Sequence, residues 1–378
     1  MRVTRPFGAA RRLVAATVAV LTVSIGLAAG APAAHAGSIC GWTGGWAPIT
    51  LQNGWASEQG AYNSGDPSYC LEGNGMVYLS GSLAATPGTP SENPEGAVFG
   101  QLPLAERPAH VIYLDVYTYG STYGILRIDT NGYMEALEGA TIEYTSLAGV
   151  SFPSTAVQQT GLMPLENGWE SAQPTYNTGD PSYSMSDGIV TLSGSMMRPA
   201  GTPGFESSAW AAAILPSSAL PSDNCFGPDT YAYQGGILPL DVDNVSGTIF
   251  GTSAQYTSLA GVSYPAAPAA WQALTLLNGT GPYPCNMGPS YFVSGNVVYL
   301  TGTVDLPAGF NGEVAVLPPA ARPAHQLYMI AINDGSGPGA PLYLTVRIDP
   351  SGGMWIYTPS NASFSLPLLG GLSFHTLS

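Results

Sequence analysis

A five-residue phrase returns twice at near-constant spacing, and this repetition limits what the chain can fold into more than any other feature. Leu51-Gln52-Asn53-Gly54-Trp55 reappears as Leu165-Glu166-Asn167-Gly168-Trp169 and again as Leu276-Leu277-Asn278-Gly279-Thr280, where the Trp is lost. Later landmarks keep step. Pro67-Ser68-Tyr69 recurs as Pro181-Ser182-Tyr183 and Pro289-Ser290-Tyr291. Val77-Tyr78-Leu79-Ser80-Gly81-Ser82 returns as Val190-Thr191-Leu192-Ser193-Gly194-Ser195 and Val298-Tyr299-Leu300-Thr301-Gly302-Thr303. Each copy closes on a similar run, at Leu147–Phe152, Leu259–Tyr264 and Leu369–Phe374. A fixed period of about 110 residues means one structural unit used three times.

What kind of unit follows from the punctuation. Gly and Pro supply 81 of 378 residues, beside 21 Tyr and 10 Phe. Short alternating apolar runs divided by Gly, Pro, Asn and Asp predict many short strands, and about 110 residues is the size of a β-sandwich. Asp129-Thr130-Asn131-Gly132 predicts a hairpin turn, since Asn and Gly tolerate positive φ. The expected fold is all-β: three tandem β-sandwich (jelly-roll-like) modules at 49–158, 159–270 and 271–378, after a leader at 37–48. The modules are expected to pack within the chain in an approximately threefold manner.

Residues 1–36 read as a secretory signal. Arg2, Arg5, Arg11 and Arg12 precede an apolar run from Leu13 to Ala29, and Ala34-His35-Ala36 offers a small-x-small cleavage pattern. Export with cleavage after Ala36 leaves five Arg and no Lys against 24 acidic residues, a formal charge of −19. A phosphate backbone is held by Lys and Arg, so nucleic acid is excluded as a partner, as is docking on an anionic membrane surface. No other run is long and apolar enough to span a bilayer, so no integral membrane protein is expected.

Export favours oxidised cysteines. Four cysteines allow three pairings, and Cys40–Cys70 with Cys225–Cys285 joins near neighbours. No C-x-x-C spacing or His cluster supports a metal site, and neither a metal nor a cofactor is expected.

The order of landmarks (L-x-N-G-W, P-S-Y, V-x-L-x-G, Leu102-Pro103 leading to Arg107-Pro108-Ala109-His110, Arg127-Ile128-Asp129 with its N-G turn, and a terminal G-V-S-F) resembles a bacteriophage module. It is the β-sandwich head at the C-terminal end of tail-fibre and receptor-binding proteins. The third copy carries Leu317-Pro318, Arg322-Pro323-Ala324-His325 and Arg347-Ile348-Asp349, whereas the second has Leu220 and Asp223 in place of the Arg and His. The resemblance implies a small adhesion domain, working as a homotrimer at a fibre tip, that contacts cell-surface saccharide or another receptor. Phage fibres carry one such head per chain and no cleaved signal, so three heads and an export signal are departures.

No G-x-S-x-G elbow, H-E-x-x-H or phosphate loop is present, and a non-catalytic secreted binding protein is expected. Its partner would be an extracellular glycan or a surface protein; an extracellular scaffold and a carbohydrate-active enzyme are the rival readings. Candidate ligand contacts are the flat rings of Trp55, Trp169, Tyr62, Tyr69, Tyr176 and Tyr183, which suit the apolar face of a pyranose, with Arg107, His110, Arg322 and His325 as polar partners. The same rings could instead fill sandwich cores. Asp66 and Asp180, beside Pro-Ser-Tyr, read as turn initiators. Asp241-Val242-Asp243-Asn244 reads as a turn rather than a calcium loop. Arg127 and Asp129 share one face of a predicted strand, as do Arg347 and Asp349, and each couple is expected to form a surface ion pair, with a polar contact between modules as the alternative.

Overall fold

The computed structural model describes residues 40, 45–86, 98–120, 122–137, 143–157, 159–198, 211–224, 226–232, 236–251, 255–285, 287–333, 343–358 and 365–376. Residues 1–36, expected to be a secretory signal, and Cys225 lie outside the described residues.

The fold is all-β, and one four-stranded antiparallel sheet is built three times in the same order. In the first stretch the order is Ala47–Pro48, Ser68–Leu71, Met76–Ser80 and Ser151–Pro153. The second uses Gly161–Leu162, Ser182–Ser186, Ile189–Ser193 and Ser263–Pro265. The third uses Gln272–Ala273, Ser290–Ser294, Val297–Thr301 and Ser373–His375.

Facing partners complete each sandwich. In the first stretch a seven-stranded sheet contains the meander Ile112–Thr118, Thr122–Ile128 and Tyr133–Leu137. The third stretch repeats the meander as Leu327–Ile332, Tyr343–Ile348 and Gly353–Tyr357. In the second stretch the surface breaks into a five-stranded and a two-stranded sheet. There Gly236–Pro239 ends on a residue with no N–H to continue the ladder.

Each stretch has its own apolar core. Trp55, Leu79, Phe99, Leu126 and Phe152 belong to the first, Trp169, Leu192, Leu215 and Tyr264 to the second, and Leu300, Leu317, Val346 and Phe374 to the third. The middle strands are buried on both faces. Along Met76–Ser80, Val77 and Leu79 enter the first core while Met76 and Tyr78 join residues of the third stretch. A strand covered on both sides reads as continuously buried rather than alternating.

The turn motifs act as their composition predicts. Asp129 Oδ1 accepts from Asn131 N at 2.8 Å and Tyr133 N at 3.0 Å, and Asp349 repeats this with Ser351 N and Gly353 N at 3.0 and 3.1 Å. Asp243, in the candidate calcium loop, accepts from Val245 N and Ser246 N at 2.8 and 2.7 Å. These bonds to the charged form hold the Asp243 carboxyl below its ordinary range.

The pairing of Arg127 differs from expectation. Its guanidinium meets Glu135, 2.7 Å away on the neighbouring strand, rather than Asp129. At the matching place in the third stretch Arg347 lies over Trp355, 4.7 Å from the ring centre. The hairpin brings a third strand alongside, and a cross-strand neighbour lies closer than a residue two places along.

Cys40 and Cys70 form the expected disulfide, closing a separation of 30 residues. Cys285 is also disulfide-bonded. Among the described residues no helix is long and apolar enough to cross a membrane.

Candidate functional site

The seams where the three stretches meet hold four of the side chains singled out from the sequence, His110, His325, Tyr62 and Tyr176. The short helix Gln59–Tyr62 ends at Asn63 in the left-handed region, and Gln173–Tyr176 ends likewise at Asn177. A left-handed residue aims its carbonyl away from the helix, free for another partner. Gln326 N donates to Asn63 O at 2.9 Å, and Val111 N donates to Asn177 O at 3.0 Å.

Beside each bond a histidine packs on a glycine. His325 sits over Gly65 and His110 over Gly179. So the third stretch grips the first as the first grips the second. Between the second and third, buried Asp223 stands at the position of those histidines and accepts from Thr301 Oγ1 at 3.0 Å. Cys285 stands at the position of Asn63 and Asn177.

Tyrosines line the same seams. Tyr62 meets Tyr144 at 4.5 Å between ring centres and Tyr328 at 6.1 Å, and Tyr117 stacks on Tyr328 at 5.6 Å. In the next seam Tyr176 meets Tyr256 at 5.0 Å, and Tyr113 stacks on Tyr231 at 5.5 Å. Burial raises the Tyr256 phenol to about 12 and drives Tyr144 up as well, so both stay neutral.

The remaining candidates lie elsewhere. Trp55 and Trp169 are 6% and 4% exposed, with their rings in the first and second cores. Tyr69 and Tyr183 pack half-buried against those cores. Arg107 Nε donates to Leu102 O at 3.1 Å and Arg322 Nε to Leu317 O at 3.0 Å, each lying over the glycine of its N-G or S-G-G turn. Leu220 packs over Gly247 in the same way in the second stretch. Asp66 and Asp180 accept from Ser57 and Ser171 hydroxyls at 2.7 and 2.6 Å, which fits a turn-fixing role.

Sequence reasoning missed a carboxylate pair. Asp115 and Asp229 occupy matching positions of the first two stretches, where the third has Ile330, and all three line one cavity of about 50 Å³. Gly149, Gly261 and Gly371, also matching positions, line it too. Asp229 Oδ1 accepts from Ile332 N at 3.3 Å, and its Oδ2 has no hydrogen-bond partner among the described residues. Each Asp keeps some surface of its own and lines this cavity, yet the surrounding protein strips most of the water. Desolvation lifts Asp115 from 3.8 to about 6, and desolvation with the nearby Asp115 charge lifts Asp229 well above its ordinary value. The signal was available: Asp115 is an acid at an alternate position of an otherwise apolar run.

One cluster has the composition of a metal site. Cys40, Glu72 and His375 converge within 4.8 Å, but Cys40 Sγ is bonded to Cys70 and is no thiolate ligand. What remains is a His375–Glu72 contact at 3.5 Å, with His375 edge-on to Trp46 and Tyr78.

No protein-family model and no curated protein matches the chain. Among solved structures, the receptor binding protein of Listeria phage PSA is similar at 19% identity with a TM-score of 0.24, covering 29% of this chain and 67% of that one. A score this low assigns neither fold nor function.

Proposed function

We propose that the chain is an exported, non-catalytic binding protein whose three repeats, 49–158, 159–270 and 271–378, close on one another about an approximate threefold axis. One chain does what three identical chains do in a fibre tip. The observation that carries this reading is the recurring seam, in which His110–Gly179 with Val111–Asn177 matches His325–Gly65 with Gln326–Asn63. Repeated use of one docking geometry builds a rigid frame that presents the same outer surface in several copies. The proposed partner is a cell-surface or cell-wall polysaccharide, or a protein displayed on that surface. A net charge of −19 after export suits neutral rather than phosphate-rich ligands.

Glycoside cleavage is the weaker reading, for a geometric reason. It needs two carboxyls flanking a sugar ring, and Asp115 and Asp229 share a cavity of about 50 Å³. That space holds water and excludes a pyranose. A glycan array and a cell-wall pull-down with the secreted protein test the proposal. Retention of a glycan without turnover is expected, while no retention at high protein concentration overturns it.

A further inference from the structure

The seam between the first and second stretches holds a larger cavity, and it exists because one repeat departs from the other two. The middle strands carry Tyr78, Thr191 and Tyr299 at matching positions. All three point away from their own cores and line one space of about 220 Å³. Two phenol rings form part of its wall, and the small Thr191, its hydroxyl 3.9 Å from Met76 Sδ, leaves room beside them. The corresponding groove between the first and third stretches is closed: Cys40, fixed by its disulfide, packs there with Val297 and Tyr299, and Asn296 Nδ2 donates to Cys40 O at 2.9 Å.

Several features of this cavity select a ligand. No charged side chain lines it, so its occupant is neutral. Met76, Met185 and Ile189 give part of the wall an apolar surface suited to a methyl-sized group. Tyr78 and Tyr299 bring their phenols into this wall side by side, close enough to act on each other electrostatically. A neutral phenol carries one O–H, so either ring can donate to an acceptor in the cavity. Burial holds both phenols neutral. At the rim, Asn74 and Ser186 are exposed and offer hydroxyl-binding groups. An apolar cavity of about 150 Å³ takes up benzene, so about 220 Å³ accepts one substituted ring and not a chain of them.

We infer that this cavity is a binding site for a single N-acetylated sugar residue, its acetamido group inserted and its hydroxyls at the rim. The acetamido carbonyl accepts from a phenol O–H of this wall, and its methyl packs on Met76 and Ile189. The pyranose ring fills the outer part of the cavity, with its hydroxyls reaching Asn74 and Ser186 at the mouth. This inference rests on the glycan-binding reading and names the sugar class and the place.

The test uses protein expressed from the full-length chain, titrated calorimetrically with N-acetylglucosamine and, separately, glucose. Thr191→Tyr restores the residue of the other two repeats and fills the space; Tyr78→Phe keeps the volume and removes one donor O–H. The expected result is millimolar binding of N-acetylglucosamine, at least tenfold weaker binding of glucose, loss of binding in Thr191→Tyr, and several-fold weakening in Tyr78→Phe. Melting curves identify any variant that fails to fold, and Tyr78→Phe then carries the comparison alone. Equal affinity for the two sugars, or no N-acetylglucosamine binding by the parent protein, overturns the inference. So does unchanged binding in whichever variants fold. Where the protein still retains other glycans, this site alone is refuted. Where it retains none, the glycan-binding reading falls with it.

Discussion

The ring of His110 lies so close on Gly179 that a Cβ added to the glycine would stand 2.7 Å from His110 Cδ2. Gly179 also has a φ of +81°, which an L side chain adopts at a cost. Gly179→Ala is therefore expected to destabilise the protein by about 2–3 kcal/mol, combining backbone strain with a seam pushed open. Gly65 beneath His325 has the same backbone but a looser 3.0 Å approach, so Gly65→Ala should cost less. Urea unfolding of the two variants checks both the size and the order.

The Asp115–Asp229 pair sets a pH dependence with a definite sign. Both carboxyls are raised in the folded state, so the unfolded chain releases these protons first as pH rises. Stability from this pair is greatest below about pH 4 and falls as pH climbs through about 6, where Asp115 ionises. A rise from 3.8 to about 6 corresponds to about 3 kcal/mol at ~1.4 kcal/mol per pH unit. Asp115→Asn is expected to stabilise the protein at pH 7 and to flatten its stability profile between pH 4 and 7. The opposite contributions of Asp243 and Asp349, whose carboxyls are lowered, are common to both proteins and cancel in the difference. An unchanged difference across that range would count against the assignment.

Local chemistry was legible in the sequence wherever one residue type has one physical use. Asn53, Asn167 and Asn278 sit in N-G turns at φ of 54, 50 and 56°. Their side-chain amides bond carbonyls 45, 44 and 35 residues away. Cys40–Cys70 followed from export and proximity in the chain. Cross-strand register was not legible, which is why Arg127 was paired with Asp129 instead of Glu135. Tyr78, Thr191 and Tyr299 were aligned but their setting was hidden. A strand buried on both faces loses the alternation that tells core from surface, and a Tyr there reads equally well as exposed.

The Cys40–Cys70 bridge closes a 30-residue loop, worth about 4 kcal/mol in the chain-entropy account. Cys40 also accepts from Asn296 of the third stretch, so the bridge ties the leader across a seam. The double variant Cys40→Ser/Cys70→Ser should lose about 3–4 kcal/mol and expose Trp46, seen as a red shift in its fluorescence. Non-reducing peptide mapping should recover the Cys40–Cys70 peptide and, as proposed for the second pair, a Cys225–Cys285 peptide.

The assembly prediction follows from the direction of the seams. The first stretch presses His110 on the second, the second presses Asp223 on the third, and the third presses His325 on the first. Contacts made in one rotational sense either close a ring or propagate from chain to chain. Here the last contact returns to the first stretch, so no docking face of this kind is left over for another copy. Short joins place the repeats at millimolar effective concentration, which favours closure within the chain over exchange between chains. The protein from residue 37 onward is therefore expected to sediment as a monomer at all micromolar concentrations. Its radius of gyration should lie near about 20 Å, the compact-domain value for residues 37–378. Beads on a string would scatter with a markedly larger radius, and a concentration-dependent trimer would show repeats exchanged between chains. Gly65→Ala and Gly179→Ala, which loosen seams without touching any core, should move the radius upward before they lower the strand content seen by circular dichroism. If both variants keep the parent radius up to the point of global unfolding, the seams do not hold the ring together.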